Sequence, residues 1–208
     1  MYKALIALVL LAIVALLAWK FLGKKESKPT ESKSESLAVS KHSEDFNASM
    51  SKTMDSYYQL TEAFVNWDTT SINSSIAQLK TDVDSLKLQE MQQDSAIYPT
   101  VESQWESIKS EISGMQLDPA IYEKRQSLNM LSQQLFDLLR IVQYDAAKIY
   151  YEECPMALDN YESSAFWLSN SGELKERRNP YLGLHDPKYG RGMLTCGNTR
   201  DSINFVSK

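Results

Sequence analysis

The sequence predicts a mainly α fold: an antiparallel four-helix bundle with a small irregular C-terminal region of short strands and loops, preceded by one N-terminal transmembrane helix. Three observations predict it. Residues 4–19 are sixteen consecutive apolar side chains. Four later stretches repeat apolar residues at spacings of three and four, the period of a helix with one buried face. After Ala147 that period stops, and β-branched and aromatic residues alternate with turn signals.

Residues 1–22 are expected to anchor the chain in a membrane. The 19 positions from Ala4 to Leu22 span about 28 Å as a helix, close to the ~30 Å of hydrocarbon in a bilayer. Trp19 and Lys20 suit the interface, where an indole sits half-buried and a lysine snorkels. No small-x-small cleavage signal and no lipobox cysteine follows, so the segment is read as uncleaved. Residues 23–43 hold six Ser, five Lys and three Glu against three apolar residues. Such a segment buries too little surface to offset its ordering entropy and is expected to be a flexible tether.

Residues 44–147 carry the four stripes. The first is Met50, Met54, Tyr57, Phe64 and Trp67; the second is Ile72, Ile76, Leu79, Val83 and Leu86. The third is Val101, Trp105, Ile108, Ile112 and Met115; the fourth runs from Ile121 through Leu128, Leu131, Leu135 and Leu138 to Val142. Asp68, with Thr69 and Thr70, is expected to cap the second helix. Pro99 and Gly114 bracket the third, and Asp118-Pro119 is expected to open the fourth. Met50, Met54, Met91, Met115 and Met130 are dispersed among branched and aromatic residues, the pattern of gap-filling core rather than of a ligand set. Glu102, Glu106 and Glu123 lack the Glu-x-x-His partners of a carboxylate-bridged centre and are expected on a solvated face.

Charge narrows the partners. Residues 44–147 hold 16 acidic and 7 basic side chains, a net of −9, against −5 for all 208 residues. That field repels a phosphate backbone, so no nucleic acid is expected as a partner. An enzyme is not expected either. The two histidines, His42 and His185, are far apart in sequence, no Gly-rich phosphate loop is present, and the two cysteines do not form Cys-x-x-Cys.

Residues 148–208 are expected to pack on the bundle as part of the same domain. Lys148 to Cys154 reads as a strand that Cys154-Pro155-Met156 breaks, residues 165–168 form a short apolar run, and Asn179-Pro180-Tyr181 is a turn. Glu152 and Glu153 are expected to be solvated, Trp167 and Tyr181 to be packing residues. Two readings of the cysteines stay open. An even count in an oxidising compartment favours a Cys154–Cys196 disulfide, worth about 4 kcal/mol by loop entropy. Alternatively Cys154 and Met156, with Met193 and Cys196, offer thiol and thioether sulfur, soft donors that select Cu(I). His185 lies near Met193 in sequence and is a further candidate ligand.

The same residues carry a resemblance. Cys154-Pro155-Met156, Trp167-Leu168, Asn179-Pro180-Tyr181-Leu182-Gly183 and Met193-Leu194-Thr195-Cys196-Gly197 occur in that order. The chain thereby resembles an uncharacterised bacterial domain family with the signature C-P-M, W-L, N-P-Y-x-G, M-L-x-C-G, a likeness that extends over residues 50–198. Two features depart from it. Many relatives have a histidine just before the third-helix tryptophan, where Glu102, Ser103 and Gln104 stand here, and the segment between Gly183 and Met193 is longer here. Members are exported or membrane-attached, and related domains are fused to periplasmic adaptor subunits of copper and silver efflux pumps. The resemblance implies a soluble domain held in the periplasm by an inner-membrane anchor, binding Cu(I) or Ag(I) and serving a heavy-metal efflux system. Positive charges alone, with Lys20, Lys24, Lys25 and Lys28 after the apolar run, would place the domain in the cytoplasm. The resemblance is preferred to that count.

Overall fold

Among the described residues, four helices and a three-stranded antiparallel sheet follow one another. A computed structural model describes residues 40–206. The expected anchor and the expected tether up to residue 39 lie outside the described residues. Among the described residues no helix is long and apolar enough to cross a membrane.

The helices are α1 (Glu44–Val65), α2 (Thr69–Asp84), α3 (Tyr98–Leu117) and α4 (Ile121–Val142). Each predicted stripe becomes the buried face of one helix, except that Trp67 and Leu86 fall beyond the ends of α1 and α2. Met50, Met54, Tyr57 and Phe64 of α1 meet Ile72, Ile76, Leu79 and Val83 of α2, while Ile108, Ile112 and Met115 of α3 join Leu128, Leu131 and Leu135 of α4. All belong to one apolar cluster, so the bundle rests on removing these side chains from water.

The helix ends follow local chemistry. Ser43 caps α1 through Phe46 N, and Asp68 caps α2 by accepting from Thr70 N and Ser71 N. Pro99 sits in the first turn of α3, where its missing N–H costs nothing. Two expected boundaries move. Gly114 lies inside α3, which runs on to Leu117. The fourth helix starts at Ile121 behind Ala120, two residues beyond Pro119, because Asp118 is extended and serves as the C-cap of α3. Met130 is exposed on α4 rather than filling the core.

The expected tether boundary also shifts. The Ser40 hydroxyl and the Lys41 amide both donate to Asp145, and His42 Nδ1 lies 2.7 Å from Glu90 Oε1. Residues 40–43 are therefore fastened to the far end of the bundle rather than free.

The sheet has the order β2-β1-β3, with β1 at Ile149–Leu158, β2 at Ser163–Ser169 and β3 at Asn198–Ile203. The expected break at Cys154-Pro155-Met156 does not occur, since β1 runs through to Leu158. Pairing with β3 stops at Glu153, and a register shift with β2 follows Cys154. Pro155 thus falls where one side of β1 is an edge and the other is bulged, a place where a missing N–H is tolerated. Side chains from the rest of the domain satisfy the outer edge of β2. Leu168 N donates to Tyr57 Oη, Phe166 N donates to Asn129 Oδ1, and Tyr181 Oη donates to Phe166 O. An edge strand covered in this way is not offered to other chains.

Candidate functional site

The site forms where the two cysteine segments meet, and polar pins bring them together. Cys154 is on β1 opposite Ala165 of β2 and is fully buried; Cys196 lies in the approach to β3. They are joined by a disulfide, with Cα atoms 5.6 Å apart across 42 residues of chain. In this state neither sulfur is a thiolate, so neither can donate to a metal.

Three features hold the segments together apart from that bond. The first is Arg177. Its Nε donates to Glu152 Oε2 at 2.8 Å and its Nη1 to Gly197 O at 2.6 Å, while Thr199 Oγ1 donates to Glu152 Oε1 at 2.7 Å. Arg177 and Glu152 are both almost fully buried. Glu152, expected in solvent, is instead the anion that anchors this network. A paired and hydrogen-bonded carboxylate can be buried at a cost that an unpaired one cannot meet.

The second is Asn179, fully buried in the turn after Arg177. Its N–H donates to Leu194 O at 2.8 Å, its Nδ2 to Met193 O at 3.4 Å, and its Oδ1 accepts from Tyr181 N at 2.9 Å. The Met193-Leu194 backbone is thereby fixed against the Asn179-Pro180-Tyr181 turn. The third is Gly197, at φ +117°, where a side chain would collide with Glu153 O on β1. Only glycine lets the two backbones approach so closely.

The methionines flank the disulfide in sequence. Met156 is partly buried on β1, two residues past Cys154, and Met193 is nearly buried at the end of the 3-10 turn Gly190–Met193. Both pack against the main apolar cluster. His185 is exposed and edge-on to the Trp67 ring, with centroids 6.4 Å apart. Among the described residues no group of three or more His, Cys, Asp or Glu side chains converges, so His185 is not gathered with the two cysteines. Trp167 and Tyr181 are buried packing residues, as expected, with their rings edge to face.

The sequence carries no sign of the Arg177 links or of the burial of Glu152, and it marks Asn179 as a turn residue without its bonds to Met193 and Leu194. Arg177-Arg178-Asn179 looks like an exposed basic turn. The one signal available was Asn179 followed by proline, since an asparagine side chain organises a turn through its own neighbours' amides. Arg178 forms a two-pronged, half-exposed pair with Glu62.

Neither a comparison with curated proteins nor one with solved structures gave a match. Residues 53–146, which reach from within α1 to just past α4 and stop short of both cysteines, match the family model described as Protein of unknown function (DUF3347), so the bundle is similar to an uncharacterised domain family.

Proposed function

We propose that the chain is a membrane-tethered extracytoplasmic protein whose reduced Cys154 and Cys196, flanked by Met156 and Met193, take Cu(I) or Ag(I) and buffer it or hand it to a heavy-metal efflux system. One observation carries this reading: the two thiol–thioether segments, 42 residues apart, meet with a Cα separation of 5.6 Å. Sulfur donors of these two kinds favour a soft monovalent ion over hard cations. The reading requires that an external dithiol first reduce the disulfide, becoming a disulfide itself, and that the thiol protons then leave as the ion binds, so affinity falls as pH drops. His185 has a weaker claim, because it stands against Trp67.

A second reading is favoured by the disulfide itself: a non-enzymatic interaction domain in which Cys154–Cys196 is a permanent staple. Competition titration separates the two. The reduced full-length chain is titrated with Cu(I) against a chelator, and the form with Met156→Leu and Met193→Leu is compared. The volume-conserving changes should cost under about 1.5 kcal/mol of stability. Clear weakening of Cu(I) binding in the double variant supports the metal site. Equal affinity removes the methionines from it, and no Cu(I) retained by either form leaves the staple.

A further inference from the structure

Arg125, in the early turns of α4, is 8 % exposed, yet its Nε and Nη2 have no hydrogen-bond partner among the described residues. Its neighbour shows how unusual this is. Lys124 is equally buried, but its Nζ donates to Met115 O at 2.6 Å. The Arg125 guanidinium instead lies over the Trp67 ring, 4.2 Å from the centroid, and forms part of the wall of a cleft of about 170 Å³. Tyr122, Leu158, Tyr161, Leu182 and Pro187 form much of the rest.

The carboxylates near Arg125 are engaged elsewhere. Asp186 is buried and accepts from Tyr161 Oη, Lys188 N and Tyr189 N. Asp159 accepts from Tyr122 Oη. Burial pulls the Arg125 pKa down to about 10, with attraction from Asp186 opposing, so the group is still a cation at neutral pH. A buried cation without hydrogen-bonding partners is unfavourable, and an anion meeting it would relieve that cost.

The two unpartnered nitrogens share one edge of the guanidinium, the edge that grips a carboxylate with two parallel N–H···O bonds. Arg178 shows that geometry in this same chain. Its Nε and Nη2 each donate to one oxygen of Glu62, both at 2.6 Å. The cleft adds aromatic and apolar walls, which suit a short apolar body behind the carboxylate. The acidic surroundings disfavour multiply charged anions such as phosphate. Nε and Nη2 are shielded from bulk water, so gripping a ligand there requires the lining of the cleft to move, and that lining includes the Asp159–Tyr161 turn. That turn holds Asp159, Asn160 and Tyr161 at φ +50°, +56° and +75°, a strained run for residues with side chains.

We infer that this cleft is a binding site for a small monocarboxylate, gripped by the Nε–Nη2 edge of Arg125 with its apolar body against the surrounding aromatic rings. The site is independent of the cysteines. To test it, the 15N-labelled full-length chain is titrated with acetate, propionate and benzoate, and the Arg125 Nε–H resonance is followed alongside Trp67 fluorescence. Inorganic phosphate is the control. Saturable movement of the Arg125 signal by the carboxylates, weakened about tenfold or more in Arg125→Lys and lost in Arg125→Met, is the expected result. If Arg125→Met does not fold, the Arg125 signal and the lysine variant decide. No saturable movement at tens of millimolar carboxylate means that water satisfies the guanidinium and overturns the site. Movement by phosphate as strong as by benzoate, or Trp67 responses unchanged in the variants, overturns it equally.

Discussion

The helical bundle and the C-terminal sheet region share one apolar core but differ in how much long-range polar bonding joins their segments. The bundle is fastened by many interchangeable apolar contacts along four helix faces. The sheet region joins the same cluster through Ile149, Trp167, Leu168 and Tyr181, and its separate segments are further tied by the disulfide and a few long-range polar links: Arg177 to Glu152 and Gly197, Asn179 to Met193 and Leu194, and Tyr181 to Phe166. Distributed packing degrades gradually when one contact is lost. A small set of buried polar links leaves a charge or amide stranded when one member is removed. The candidate site sits in the second kind of region, where a few side chains set the position of each sulfur.

The largest expected effect is at Arg177. Arg177→Met removes the charge partner of buried Glu152, leaving it the Thr199 hydroxyl, and frees Gly197 O, and should cost about 3–5 kcal/mol. Chemical denaturation of the oxidised chain checks this. A loss below 1 kcal/mol would show that Glu152 reaches water and that the link is dispensable. Removing the disulfide, by Cys154→Ser with Cys196→Ser, should cost up to ~4 kcal/mol by loop entropy. The polar links should nevertheless keep the strands paired, visible as retained β-sheet amide protection. In the bundle, Leu131→Ala should cost about 2–5 kcal/mol without altering amide protection of Leu194 or Gly197. Spread of its effect into the sheet would erase the distinction between the regions.

The bundle was legible in the sequence because its signal is periodic. Met50, Met54 and Tyr57, or Leu128, Leu131 and Leu135, announce a face by spacing alone, and Asp68 announces a boundary by chemistry. Helix ends were less legible, since Asp118-Pro119 fits the end of α3 as well as the start of α4. In the sheet region, the cysteine pair and the roles of Trp167 and Tyr181 could be read. The partner of Glu152 could not, because Arg177 is 25 residues away and no period links them. The Arg125 cleft was invisible for the same reason. Its walls come from the turn after α1, the start of α4, the end of β1 with the β1–β2 connection, and the segment from Tyr181 to Pro187.

Smaller effects sharpen the contrast at the bundle's edge. Asp82 is buried, which opposes its ionised form, but hydrogen bonds from Gln78, Ser56 and Lys52 overcome this and hold its pKa below the usual carboxylate value. Asp145 is lowered in the same way, burial being outweighed by the Lys41 amide and by Ser40 and Asn47. A carboxyl with a lowered folded-state pKa contributes stability that is present at neutral pH. That contribution is lost as pH falls below the usual carboxylate range toward the folded-state value. Stability should therefore decline on acidification, and Asp82→Asn should flatten the decline. An unchanged slope in that variant would remove Asp82 as a source. Smallest of all, Asp68→Ala should cost about 1 kcal/mol through loss of the α2 cap, read as a lower denaturation midpoint.

The most direct test asks whether the Cys154 and Cys196 segments stay together, and accept an ion, once the disulfide is opened. The full-length chain is labelled at its methionine methyl groups, reduced without oxygen, and given one equivalent of Cu(I) while the methyl spectrum is recorded. The account predicts that reduction leaves the signals of the buried Met50, Met54 and Met115 in place, and that Cu(I) then moves Met156 and Met193 alone. Collapse of the Met156 and Met193 signals to random-coil positions on reduction, or no response of either to Cu(I), would contradict it.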